Sequence, residues 1–167
     1  MNEIVFWILS CGAISSALLM VTRKSAVPSA LMLVLTFCFL AGLYLTLNAQ
    51  FLAVVQVTVY AGAIMVLVVF VIMLLNIRSE KFQIAGNWKT VVGLLAVTGI
   101  LAQIVAIMSV ATNSLPKNLH AKAAELGTVE SIGTQLYTNY AFPFEMASIL
   151  LITAAVGAIV LAKKKLT

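Results

Sequence analysis

The chain has 167 residues, of which 63% are hydrophobic and only 9% are charged, and its mean hydropathy is +1.13. Because soluble domains carry about 25% charged residues, this composition excludes a water-soluble globular protein and predicts an integral membrane protein. The net charge of +5 does not indicate nucleic-acid binding, since the basic residues lie in short tracts beside apolar segments, where membrane proteins keep them. A phosphate-binding face would need many more of them.

Apolar segments that could each cross a membrane make up most of the chain. A spanning helix needs roughly 20 apolar residues to cross about 30 Å of hydrocarbon. The segments cover residues 4–22, 26–47, 51–75, 90–111 and 144–162, and we number them as the first to fifth spans. Their continuous apolarity favours helices over barrel strands. The sequence therefore predicts an all-α fold, with residues 1–167 forming a single membrane domain of five transmembrane helices.

The first two spans contain small and sulfur-bearing residues. Gly12 and Ser16 form a small-residue stripe of the kind that lets a neighbouring helix approach closely. Cys11 and Cys38 lie inside apolar runs, so we expect buried free thiols. The first span is too long for a signal peptide and has no basic region before it, so we expect it to remain in the membrane.

Polar and small residues are concentrated in the third span. Gln56 and Tyr60 are four residues apart, so an α-helix would place them on one face, which Ala63 would extend. Thr58 and Gly62 form a parallel stripe. Polar side chains in hydrocarbon need a partner helix or water, and a mid-helix glycine costs about 1 kcal/mol relative to alanine. Two interpretations stay open here, ordinary helix packing and a segment that deforms locally.

The fourth and fifth spans are joined by a polar connection with a short amphipathic stretch, which we expect to lie along the outer surface. His120 lies in this connection and is the only histidine, so the sequence predicts no metal site. No nucleophile–base pair, phosphate loop or nicotinamide fingerprint is visible, and no residue is predicted to be catalytic.

Glu145 is an ionisable group inside the fifth span, where a carboxylate is costly and by default a functional candidate. Because it follows Pro143 near the predicted helix start, it could instead stabilise the helix N-terminus, and both interpretations stay open. Further along, a second small-residue stripe recurs every four residues and indicates a packing neighbour: Ala154, Ala158 and Ala162.

The distribution of basic residues predicts the orientation. With the N-terminus outside, eight of the ten lysines and arginines fall on the cytoplasmic side, and only Lys117 and Lys122 fall on the other. This asymmetry obeys the positive-inside rule. We therefore expect an outside N-terminus and a cytoplasmic C-terminus.

Two blocks of the sequence resemble a known family. The run from Val57 to Asn76, with Tyr-Ala-Gly-Ala at its start, closely resembles the third helix of subunit J of NADH-quinone oxidoreductase, the counterpart of mitochondrial NADH dehydrogenase subunit 6. The second block resembles the same family over several short segments: Gly127-Thr128, Gly133, Leu136 to Thr138, Pro143 to Ser148, and Val156 to Ala162. The resemblance covers essentially the whole chain.

The resemblance implies a subunit of respiratory complex I in the bacterial inner membrane, within a proton-pumping membrane arm. In this family FMN, iron–sulfur clusters and quinone belong to partner subunits, and this chain would hold no cofactor. The expected partners are lipid, the H-type subunit that forms the quinone site, the small A- and K-type subunits, and the antiporter-like subunits.

The family's third helix contains a π-bulge whose change to a regular helix is associated with opening a water path. Carried over, the gating residues would be Tyr60, Ala61, Gly62 and Ala63. Some family members have a glutamate where this chain has Gln56, and an amide can orient water but cannot store a proton. The candidates for the proton or water path are Gln56, Thr58, Tyr60 and Glu145.

The residues alone also allow functions outside this family. A stand-alone small transporter would use the same four path candidates to line a substrate route. The resemblance itself also extends to related subunits of ferredoxin- or F420-dependent complexes and of cation/proton antiporter complexes. A purely structural scaffold would tolerate bulky replacement of Gly62 and apolar replacement of Tyr60.

Overall fold

The fold is entirely helical over the residues that the computed structural model describes, which are 2–75, 87–114 and 127–163. The helices are α1 (Asn2–Thr22), α2 (Ala26–Thr46), α3 (Gln50–Leu75), α4 (Asn87–Ser114), α5 (Val129–Thr138) and α6 (Ala141–Ala162). All except the short α5 are long and apolar enough to cross a membrane. The predicted all-α fold and its five spans are therefore confirmed.

The helices of the fourth and fifth spans extend furthest beyond the predicted bounds. α4 covers residues 87–114, and α6 begins at Ala141, three residues earlier than expected. Pro143 had suggested a later start, but it occupies the third position of α6. A proline is tolerated there because the first N–H groups of a helix have no partner within it.

The seam between α1 and α2 is closely packed. The hydroxyl oxygens of Ser16 and Thr36 lie 2.9 Å apart across it. Gly12 receives the ring of Phe39, and an added Cβ at Gly12 would lie 2.7 Å from that ring. The small-residue stripe of the first span thus packs against the next helix of the same chain.

A tight turn reverses the chain between α2 and α3. Asn48 has a positive φ of 59°, a conformation that asparagine tolerates better than most residues. Its N–H donates to the Leu45 carbonyl at 3.1 Å, and the Ala49 N–H donates to the Tyr44 carbonyl at 2.9 Å. This is the Schellman pattern that ends a helix, and it sets α3 antiparallel against α2.

Packing is uneven along the chain. Among the described residues, every buried side chain belongs to α1, α2 or α3: Ala13, Ser16, Ala30, Ala41, Ala53, Gln56 and Met65. No described Cα atom of α4 lies within 8 Å of another helix, and α6 approaches only α5. We refer to α1, α2 and α3 as the packed group.

The prediction of buried thiols is wrong. Cys11 and Cys38 are both free, and both are exposed on the surface of this chain. The physical reason is that three packed helices bury only one side of each helix. An apolar run in a membrane protein can face lipid or another subunit just as well as its own chain.

The amphipathic helix α5 joins α6 to the packed group. Thr128 caps it by accepting a hydrogen bond from the Ser131 N–H at 3.3 Å. Tyr137 of α5 and Phe144 of α6 form an edge-to-face ring pair, with their ring centroids 5.1 Å apart. At its other end, Gly127 lies against the Asn48 carbonyl. The connection before α6 and the turn before α3 therefore lie at the same end of the molecule, and the direction of the N-terminus stays a prediction.

Candidate functional site

The third span is not a uniform helix. It is α-helical over Gln50–Val55 and Met65–Leu75, and between them Gln56–Ile64 form a nine-residue π-helix. At its end the Met65 N–H bonds to the Tyr60 carbonyl, five residues back. Six predicted site residues lie in this segment: Gln56, Thr58, Tyr60, Ala61, Gly62 and Ala63.

The π-helix changes which side chains face inward. Gln56 is 8% exposed and Met65 is 3% exposed, so both are buried although they are nine positions apart. In an α-helix nine residues make about two and a half turns, which would place the two on opposite faces. With i→i+5 bonding the same residues make roughly two whole turns. The wide turn therefore lets both side chains pack inside.

The residues of the predicted face differ in burial. Gln56 is buried, whereas Tyr60 is 45% exposed and Ala63 is also exposed. Residues four apart stay within roughly 40° of one another in an α turn and in the wider π turn. The difference in burial therefore comes from how α2 covers the segment, and the shared face itself stays a prediction.

Gly62 fits the π conformation for a steric reason. A Cβ at this position would lie 3.2 Å from the Val57 carbonyl oxygen, which is tighter than ordinary van der Waals contact. In a regular α-helix the same methyl group would be favourable by about 1 kcal/mol over glycine. The glycine thus shifts the balance between the two helix forms toward the π form.

Gln56 is a buried polar residue whose side chain has no hydrogen-bond partner among the described residues. Its side chain is more than nine-tenths buried and makes no hydrogen bond to any described residue. The described residues contain no fully enclosed polar side-chain atom lacking a partner, so the Gln56 amide keeps a small opening. An amide at this depth needs water or a neighbouring chain for its hydrogen bonds.

A groove of about 470 Å³ runs between the C-terminal half of α2 and the start of α3. We name it the Thr58 groove, because Thr58 of the π-helix lines it together with Cys38 and Ala41 of α2. Its wall is largely apolar. It therefore suits hydrocarbon or an apolar side chain, with the Thr58 hydroxyl as a polar point on the wall.

A second groove of about 400 Å³ lies between the first half of α2 and the later part of α3. We name it the Ala61 groove, since Ala61 lines it with Leu31, Val34 and Phe70. Tyr60 lies between the two groove-lining residues, and its ring packs edge-to-face against Phe37 of α2 at 5.8 Å. Residues of the π-helix thus line two grooves and make one aromatic contact with α2, although neither ring of that contact lines a groove.

Glu145 lies apart from these residues. It is the fifth residue of α6 and lies beyond the first turn. That first turn contains no acidic residue. Because the effect of the helix dipole falls off within the first turn, the geometry gives little support to a helix-end role. Among the described residues α6 does not approach α3. The chain alone therefore does not place Glu145 in a shared path with Gln56.

Phe37 is a residue of the site that sequence reasoning missed. It is one of several aromatic residues in apolar spans, and no spacing or charge distinguishes it. Only the packing of α2 against the π-helix identifies it. His120 lies outside the described residues, and within the described ranges no three potential metal ligands come together.

Comparison with known proteins gives one consistent family. Residues 16–161 match the family of NADH-ubiquinone/plastoquinone oxidoreductase chain 6. The NAD(P)H-quinone oxidoreductase chain 6 of Leptolyngbya boryana is 39% identical over 96% of this chain and 79% of its own length. The F(420)H(2) dehydrogenase subunit J of Methanosarcina mazei is 36% identical over 95% of this chain and 89% of its own. The NADH-quinone oxidoreductase subunit J of Rickettsia bellii is 32% identical over 97% and 80%.

Proposed function

Because this chain belongs to the chain 6/subunit J family of NADH-quinone oxidoreductases, we propose that it is a membrane-arm subunit of a proton-translocating NADH:quinone oxidoreductase. In this proposal the chain lies in the bacterial inner membrane and has no redox centre. FMN, iron–sulfur clusters and quinone are held by partner subunits. The neighbours are the H-type subunit of the quinone site, the small A- and K-type subunits, and the antiporter-like subunits.

The observation that carries a coupling role is the π-helix of α3. A π segment is a local departure from regular helix that is frequent at functional sites. Conversion of i→i+5 bonds to i→i+4 bonds shifts the hydrogen-bond register by one residue, which corresponds to about 100° of rotation. Such a rotation would move Tyr60 and Gln56 relative to α2. The segment is thus suited to open and close a path as neighbouring subunits change conformation.

In the path itself, Gln56, Thr58 and Tyr60 supply hydrogen-bonding groups for water. The Gln56 amide both donates and accepts, but it does not take up a proton at physiological pH. A proton crossing this region therefore moves through ordered water. Glu145 is the only carboxylate among the four path candidates, and a partner subunit or water would be needed to connect it to α3.

The first experiment is to purify the tagged chain in mild detergent and identify the proteins that co-migrate with it. We expect flavin, iron–sulfur and antiporter-like subunits. A small homo-oligomer with transport activity would contradict the proposal and support a stand-alone transporter. Deleting the gene should abolish proton pumping driven by NADH and dependent on quinone, and unchanged pumping would refute the role.

The electron donor is tested with the same preparation. One relative is named as an F(420)H(2) dehydrogenase subunit, so a related complex with another donor is a specific second candidate. We expect the purified complex to oxidise NADH with quinone as acceptor. Oxidation of reduced F420 instead would place the chain in the second kind of complex.

The coupling role is tested at Gly62. We expect Gly62→Leu to lower the number of protons pumped per electron more than it lowers assembly, because a bulky side chain presses on the Val57 carbonyl in the π form. Gly99→Leu in α4 is the matched control, since an added Cβ there meets nothing within 4 Å. Normal turnover and stoichiometry in the Gly62 variant would count directly against gating.

A further inference from the structure

The contact between Phe37 and Tyr60 ties α2 to the π-helix of α3. The two ring centroids lie 5.8 Å apart, with an angle of 62° between the ring planes. Along the chain each ring stands between residues of the two grooves, in the order Val34, Phe37, Cys38 on α2 and Thr58, Tyr60, Ala61 on the antiparallel α3. Neither ring lines either groove, so the pair is a separate contact between the two helices.

Phe37 belongs to a helix whose position is set by α1. Thr36, its neighbour, lies 2.9 Å from the Ser16 hydroxyl across the α1–α2 seam; one of the two hydroxyls donates to the other, and the second donates to a carbonyl of its own helix. Two residues further on, Phe39 fills the space above Gly12. These contacts fix the rotation of α2 against α1. The ring of Phe37 is thus presented to α3 from a firmly held support.

Tyr60 belongs to the helix segment that can change form. It is the fifth of the nine π-helical residues, so it moves relative to at least one flank when the register shifts. A rotation of about 100° per residue of register is far more than an edge-to-face ring contact can follow. The Phe37–Tyr60 contact is therefore compatible with the π form and is lost in a regular α-helix.

We propose that Phe37 is a positioning residue for the coupling segment, and that its ring holds Tyr60 against α2 in the π form. This inference rests on the proposed function, in which α3 changes between π and α forms. Phe37 lies outside α3, on a helix that does not itself change form. When the register shifts, Tyr60 leaves Phe37.

The test uses the intact purified complex in proteoliposomes with Phe37→Leu, which removes the ring and keeps an apolar side chain. A ring pair of this geometry contributes enough to shift an equilibrium by roughly two- to twelvefold. We expect amide hydrogen exchange over residues 56–65 to speed up by a similar factor. The protons pumped per electron should fall, while electron transfer to quinone stays within about twofold.

Two further variants separate positioning from packing. Phe37→Tyr keeps the ring and should restore both the exchange rate and the proton stoichiometry. Phe142→Leu makes the same change in α6, at a ring that is 73% exposed and on a helix that does not approach α2 or α3 among the described residues, and should leave the proton stoichiometry unchanged. If Phe37→Leu does not assemble, Phe37→Met keeps most of the volume without the ring and carries the same test.

Each outcome bears on one of the two proposals. A wild-type stoichiometry in Phe37→Leu, or an equal loss in Phe142→Leu, overturns the role of Phe37. If Gly62→Leu reduces pumping and Phe37→Leu does not, the coupling function stands and the positioning residue falls. If neither variant alters pumping in an assembled complex, the coupling role of α3 itself is refuted.

Discussion

The packed group of α1, α2 and α3 and the later spans α4 and α6 have similar hydropathy but different packing. Mean hydropathy of the five spans lies between 2.2 and 2.8. Yet the buried side chains among the described residues all lie in the packed group. The difference teaches that apolarity puts a helix into the membrane, but does not decide whether that helix packs within its own chain.

The small residues of α6 show the other side of this comparison. An added Cβ at Gly157 would meet nothing within 4 Å, and the nearby stripe of Ala154, Ala158 and Ala162 is exposed. In the packed group, the equivalent residues Gly12 and Ser16 are covered by α2. The packing neighbour predicted for the stripe in α6 is therefore not found among the described residues of the chain, and contact with another chain stays a prediction.

The largest effect is expected from a substitution that separates α5 and the α6 attached to it from the packed group. Gly127 lies against the backbone of Asn48, so a side chain there cannot be accommodated by rotating another side chain. We expect Gly127→Ala to destabilise the docking of α5 by about 2–3 kcal/mol. Limited proteolysis of the connection in the purified complex measures it. Gly133→Ala is the control, because its Cβ would meet nothing within 4 Å, and equal cleavage in both variants would show that the contact is unimportant.

A smaller effect is expected inside the packed group. Gly12→Ala places a methyl group 2.7 Å from the Phe39 ring, and we expect a loss of about 1–2 kcal/mol, since the ring can move partly aside. Gly157→Ala in α6 should cost nothing in the isolated chain. The measurement is unfolding in mixed micelles by titration with SDS. A similar loss in both variants would mean that the two regions are equally packed.

The hydroxyl pair between α1 and α2 sharpens the comparison further. Ser16→Ala and Thr36→Val should show a coupling of about 0.6 kcal/mol in a double-mutant cycle, the usual size for interhelical hydrogen bonds in membranes. Thr153→Val in α6 removes a hydroxyl that bonds only within its own helix, to the Ile149 carbonyl at 2.7 Å. It should show no coupling to Ser16. A coupling of zero for the Ser16 pair would show that the two hydroxyls are independent.

The smallest effect on assembly is expected at Glu145. This exposed carboxylate has no packing role within the described residues, so Glu145→Gln should assemble normally. As an intramembrane carboxylate it is a functional candidate, and we expect proton pumping to fall in part. The rate of pumping per molecule of assembled complex is the measurement. Wild-type pumping would remove Glu145 from the proton path.

Prediction from sequence succeeded for features that depend on a property summed over a run of consecutive residues. The number of spans follows from the transfer free energy of about 20 consecutive residues, which needs no knowledge of neighbours. The early start of α6 was missed, because a proline looks like a boundary although the first turn tolerates it. The structure shows that the amphipathic stretch before α6 forms a capped helix, and its position along the outer surface stays a prediction.

The candidate site was only partly predictable for a related reason. Third-span residues were selected by polarity and by resemblance, and the structure gathers six of them in the π-helix. Which of them is buried could not be predicted from spacing, since the burial of Gln56 and the exposure of Tyr60 depend on how α2 covers the segment. Phe37 was missed because its role comes from a contact with Tyr60, 23 positions away along the chain. The gating role of these residues stays a prediction.

The sequence by itself determined that the protein is helical, that it crosses the membrane five times, and which span contains the polar residues. Only the tertiary structure decided the register of α3, the partner of each small-residue stripe and the separation of Glu145 from Gln56. The physical reason is that insertion into lipid adds up residue by residue. The choice between π and α bonding depends instead on burying Gln56 and Met65 together, which requires α2 to be in place.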